Sequence, residues 1–124
     1  MKLKIVDVKS KGDYDNEYVV LRATADCNLK DYMVCDETYD AAGKSNLNRH
    51  SYWFPDHLVT KGDYVTVWTK TGKNIVGQME SGDPAHRFFW NLKEAVWNDS
   101  GDVAHLVEIA DVASKTVPAV KPKP

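Results

Sequence analysis

The chain has 124 residues, with 16 basic and 18 acidic side chains and a formal charge of −2, which is one domain's worth of polypeptide and leaves no room for two ordinary cores. At this size a native fold hides roughly two-thirds of the surface its unfolded chain exposes, so neither disulfides nor a metal is obligatory. Apolar residues at 43% and charged ones at 27% exclude a disordered chain, and the near-neutral balance excludes the bulk electrostatic footprint of a nucleic-acid binder.

Short apolar segments separated by turn residues run along the chain. Residues 3–8 read as a strand closed by Ser10-Lys11-Gly12-Asp13. Residues 17–24 follow, with Val19, Leu21 and Ala23 on one face and Tyr18, Val20 and Arg22 on the other. After the turn Asp26-Cys27-Asn28 comes a strand over 32–38, where Tyr32, Val34 and Asp36 alternate with Met33, Cys35 and Glu37. A loop around 42–46 delivers a strand at 50–55. The turn Lys61-Gly62-Asp63 precedes 64–70, whose alternation sets Tyr64, Thr66 and Trp68 against Val65, Val67 and Thr69. Between Gly72 and Ser81 the pattern is weak. Strands at 87–90, 94–97 and 103–109 complete the set, with 98–102 as a hairpin connection and a single helical turn allowed within 92–96. Seven to nine short strands at this spacing argue for an all-β sandwich over alternating βαβ units. The pattern stops after Val117. Pro118, Pro122 and Pro124 then alternate with lysines and small residues, so the expected organisation is a domain over 1–117 and an extended Pro/Lys tail over 118–124.

Several segments, taken in order, resemble one family. They are Asn16-Glu17-Tyr18-Val19-Val20-Leu21, Tyr32-Met33-Val34-Cys35-Asp36-Glu37, Trp53-Phe54-Pro55, Lys61-Gly62-Asp63-Tyr64-Val65-Thr66-Val67, and Val96-Trp97-Asn98-Asp99-Ser100-Gly101-Asp102-Val103-Ala104-His105-Leu106. Together they resemble the lamin-tail domain, whose bacterial copies carry an N-E-Y/W-V-x-L strand, a central F-P, an x-G-x-x-V-x-V strand and a closing W-N-x-x-G-D-x-A-x-L hairpin. The resemblance covers residues 3–117, and the closing hairpin is its most specific part. It implies an immunoglobulin-like β-sandwich and a structural or protein-interaction role. The chain departs from the pattern at Asp31-Tyr32, where bacterial copies have a Gly-Trp pair, and over 109–114, which lacks glycine. No heptads accompany the domain, so filament formation is not carried over.

No group of residues names a reaction. Asp13, Asp15 and Glu17 alternate as oxygen donors for a hard cation do, but an Asx-rich turn with Glu17 bonding nearby backbone already accounts for them, and the spacing is not that of an EF-hand. His50, His57, His86 and His105 never fall at i, i+2 or i, i+4, so no metal clamp is spelled out. Ser51 beside His50 points to the opposite strand face, which separates nucleophile from base. The expectation is therefore a non-enzyme with no catalytic residue, no metal and no cofactor. Four tryptophans divide by context: Trp90 and Trp97 are expected in the core, and Trp68, on the mixed face with Tyr64 and Thr66, is the candidate for an exposed contact. Lys70, Lys73, Arg87 and Lys93 suggest a basic strip interrupted by Asp83 and Glu94. The candidate binding residues are accordingly Trp68, Lys70, Lys73 and Arg87. The expected partner is a protein, met at a sheet edge or loop end; the alternative is a polymer, nucleic acid or carbohydrate, held by exposed aromatics and lysines. No apolar run approaches the ~20 residues that span a bilayer. The N-terminal apolar run breaks at Asp7, and Cys27 and Cys35 lack zinc-site spacing, so two reduced thiols in a cytoplasmic protein are expected.

Overall fold

The computed structural model describes residues 1–37, 48–97 and 102–119. Its strands are β1 (Leu3–Lys9), β2 (Tyr18–Ala23), β3 (Cys27–Asn28), β4 (Tyr32–Glu37), β5 (Asn48–Trp53), β6 (Leu58–Val59), β7 (Tyr64–Trp68), β8 (Ile75–Gln78), β9 (Pro84–Phe89) and β10 (Val103–Glu108). The fold is all-β, as the alternation predicts, and a single 3₁₀ turn at Leu29–Asp31 is the helical element among the described residues. Ten strands replace the expected seven to nine, and two of the ten are two-residue bridges, β3 with β6, too short to leave a period in the sequence.

Two layers enclose the core. One is a five-stranded sheet in the order β1-β2-β7-β9-β8, the other a three-stranded sheet in the order β10-β4-β5. Pairing is antiparallel except between β7 and β9, which run parallel. Val19, Leu21, Val65, Val67 and Phe88 point inward from the larger sheet, and Tyr32 and Val34 answer from the smaller one. Phe54, Val96 and Trp97 fill the space between. Branched aliphatics suit this arrangement because their stiff side chains pack well on a pleated surface.

Glu17 ties one end of the sandwich together. It is fully buried, and its carboxylate accepts from the Val96 N–H at 2.8 Å, the Trp97 N–H at 3.4 Å, the Gly12 N–H at 3.1 Å and the Thr69 hydroxyl. The Asx-rich segment before it forms a main-chain turn: the Asp13 carbonyl accepts from the Asn16 and Glu17 N–H groups, and the Asp13 side chain accepts from the Asn16 side-chain amide. This network also explains a correction. Residues 94–97, expected as a strand, form bends, because the Val96 and Trp97 amides go to Glu17 instead of a ladder. The helical turn allowed within 92–96 is likewise absent.

At the other end of the chain, strand structure ends at Glu108, and 109–119 follow without regular structure. The loop expected at 42–46, most of the hairpin connection at 98–102 and the last five residues of the tail lie outside the described residues.

Candidate functional site

Register across the larger sheet builds its outer face. Lys9, Tyr18, Trp68 and Phe89 lie side by side on β1, β2, β7 and β9. The next outward row holds Val20, Thr66, Arg87 and Ile75, and the one after it Lys4, Arg22 and Tyr64. Directly opposed side chains on one face are close neighbours, so each row is a contact ladder. Tyr18 stacks on Trp68 at 4.1 Å between centroids and 21° between planes. On the other side Phe89 flanks the same indole at 6.3 Å and 24°. The Trp68 N–H donates to the buried Thr66 hydroxyl at 3.0 Å, and the Lys70 ammonium sits 5.3 Å from the ring centroid. Gly72 closes the row: its backbone runs so near Phe89 that a Cβ there would meet the ring at 2.5 Å.

Of the four candidate binding residues, this face gathers three. Trp68 and Arg87 line a groove of about 660 Å³ with Val6, Lys9, Tyr18, Val20, Tyr64 and the segment from Gln78 to Ser81. Lys70 caps the Trp68 ring. Lys73 is exposed on the loop between β7 and β8 and is not part of that lining. The face also carries residues the sequence reading did not single out as binders, Tyr18, Arg22 and Tyr64; the Arg22 guanidinium lies 4.9 Å over the Tyr64 ring. Their alternation with Val19, Leu21 and Val65 was visible, and only the cross-strand register joins them to Trp68.

A second feature lies at the edge of the same sheet. β8 is its last strand, and Ile75 and Val76, which point to opposite faces, are 59% and 55% exposed. Val76 is in register with His86 on the inward side, so its exposure means that β8 overhangs the smaller sheet. At this edge is a cleft of about 240 Å³ lined by Pro55, His57, Asn74, Ile75, Val76, His86, Arg87 and Phe88.

A relay of hydrogen bonds forms one side of this cleft. Gly62, at φ +94°, turns the chain so that Asp63 receives the Thr60 N–H at 3.0 Å. The same carboxylate oxygen takes the His86 Nε2–H at 2.9 Å. That leaves His86 Nδ1 as an acceptor for the His57 Nε2–H at 2.8 Å. His57 also packs edge-on against Phe88 at 5.2 Å. Burial, and next the neighbouring His86, hold its pKa below the ordinary histidine value.

The other two histidines are each paired with an acid. His50 meets Asp36 at 3.3 Å, and His105 meets Glu37. Burial pushes the Cys27 and Cys35 thiols above their usual range, which keeps them protonated and poorly nucleophilic. Among the described residues no three His, Cys, Asp or Glu side chains converge as metal ligands. Among them, too, no helix is long and apolar enough to cross a membrane. Of the tryptophans, Trp97 is buried, Trp90 is partly buried against the core, and Trp53 is exposed with its N–H donated to the Lys30 carbonyl. No family model matches the chain, and no curated protein gives a match.

Proposed function

We propose that the chain is a non-catalytic protein-interaction module of the lamin-tail type, an immunoglobulin-like sandwich that docks a partner strand along β8. The observation that carries this reading is the exposure of both Ile75 and Val76 on a strand whose outer edge no described strand pairs. An open edge offers a row of unpaired N–H and C=O groups, and apolar side chains beside it supply contact area, the two components of strand addition. The cleft beneath Val76 gives an inward-pointing partner side chain a place to go. We place the module in the cytoplasm, where Cys27 and Cys35 stay reduced.

The test compares the intact chain with an Ile75→Lys/Val76→Lys double variant as baits in extract of the native host, after matching their thermal melting. A protein retained by the first and lost from the second is the expected result. Identical retention by both overturns the reading.

A second reading, recognition of nucleic acid or carbohydrate, draws support from the cations on the outer face: Lys4, Lys9, Arg22, Lys70 and Arg87. Its stacking component is weak, because Tyr18 and Phe89 already flank both sides of Trp68. Charge is what remains. This reading therefore predicts oligonucleotide binding that falls steeply between roughly 50 and 200 mM salt. A flat response removes it.

A further inference from the structure

The outer groove has a charge pattern that the fold does not need. The chain as a whole is net negative, yet this one face presents Lys4, Lys9, Arg22, Lys70 and Arg87 against two acids, Asp7 and Glu80. Asp7 is already held by Lys9 at 3.0 Å. Arg87 is half-buried in the groove and makes no ion pair with another described residue; Arg22, on the same sheet face beside the groove, is half-buried with its guanidinium over the Tyr64 ring. Desolvating a guanidinium without a counter-charge is unfavourable, and a positive face in a net-negative molecule concentrates anionic ligands there.

We propose that this face binds an extended acidic peptide, with carboxylates on Arg22 and Arg87 and aliphatic side chains against Val6 and Met79 in the groove. Three observations favour a polypeptide over a polyanion. The row Tyr18, Trp68, Phe89, Gly72 uses its ring faces internally, so bases and sugars find no free platform at its centre. The groove lining is mixed, with Val6 and Met79 among the polar groups, which suits a chain alternating acidic and apolar residues. The spacing fits as well. Arg22 and Arg87 are two strands apart and offset by two residues, so their backbones are roughly 12 Å apart from strand geometry, and acids four residues apart in an extended peptide span about 13 Å. Guanidinium is also the group that receives a carboxylate bidentately.

The proposal shares with the β8 reading the idea that the ligand is a polypeptide, and the two surfaces meet at Arg87, which is in register with Ile75 and lines both the groove and the cleft at β8. The probe is a fluorescently labelled twelve-residue peptide of three Glu-Thr-Val-Ser repeats, read by anisotropy at low salt. Saturable binding to the intact chain is expected, weakened at least tenfold by Arg22→Gln, by Arg87→Gln, and by replacing Glu with Gln in the peptide. Both arginine variants must melt within a degree or two of the intact chain. Val76→Lys must leave the peptide affinity unchanged, so failure of edge docking and failure of this site are read separately. Absence of binding, or equal binding by the arginine variants, overturns the proposal. So does tighter, arginine-dependent binding of a twelve-residue oligothymidylate or of an oligogalacturonate, because the occupant is then a polyanion and not a peptide.

Discussion

Two polar networks with similar ingredients behave in opposite ways. At one end of the sandwich the Glu17 carboxylate is fully buried, and donors from three separate parts of the chain, Gly12, Thr69 and the Val96-Trp97 pair, use its oxygens. At the other end the Asp63-His86-His57 relay is also hydrogen-bonded, but it faces a cleft under an overhanging strand. The first is saturated and closed, so it fixes the fold. The second lies beside the exposed apolar side chains of Ile75 and Val76, so it leaves open the edge at which docking is proposed. The difference lies in what surrounds the groups, since a carboxylate anchors both, fully buried in Glu17 and partly exposed in Asp63.

Breaking the closed network is expected to have the largest effect. Glu17→Ala strands the Val96, Trp97 and Gly12 amides and the Thr69 hydroxyl in a dry interior, which costs about 3–5 kcal/mol. A calorimetric scan is expected to show a melting temperature lower by roughly 10 °C or more. A drop of a degree or two means that the donors find water, and the network is then not a structural knot.

Next in size is the outer ring row. Trp68→Ala removes the indole between Tyr18 and Phe89 and is expected to cost about 2 kcal/mol in urea unfolding, from lost area and ring contact. Trp68→Phe keeps the row and is expected to recover part of that loss. Equal losses for both substitutions place the stabilisation in the N–H bond to Thr66 instead of the stacking.

The open network is sharpened by pH. His57 has a lowered pKa in the folded chain, so the unfolded chain takes up the proton more readily. Stability is therefore complete above the unfolded value near 6.5 and is lost as pH falls below it. Melting between pH 7.5 and pH 5 is expected to show that decline, and His57→Gln is expected to flatten it. A decline unchanged in the variant assigns the acid sensitivity elsewhere.

Arg87→Gln is the smallest expected perturbation of stability, within about 0.5 kcal/mol, because it breaks no ion pair among the described residues. A loss above 1 kcal/mol makes Arg87 part of the scaffold and withdraws it as a docking residue.

The strands with period-two alternation were legible from residues alone. In β2, Val19 and Leu21 against Tyr18 and Arg22 is a local signal, and the fold keeps those faces. The same holds for Val65 and Val67 in β7. What escaped the sequence is what depends on distant partners. Residues 94–97 look like a strand because they are apolar, but the Val96 and Trp97 amides are claimed by a carboxylate 79 and 80 residues away. Strand β8 carries a central glycine and no alternation, since both of its faces are largely exposed. The site shows the same limit. Trp68 and Arg87 were readable as candidates, but their company on the outer face follows from β2 pairing with β7 and from the parallel pairing of β7 with β9. His57 and His86 lie 29 residues apart and meet only in the folded chain.

The most direct test of edge docking is site-specific photocrosslinking in the native host. A benzophenone side chain at Val76 is compared with one at Thr24, an exposed position away from β8. A discrete protein adduct from Val76 and none from Thr24 is the predicted result. No adduct from Val76, or the same adducts from both positions, contradicts it.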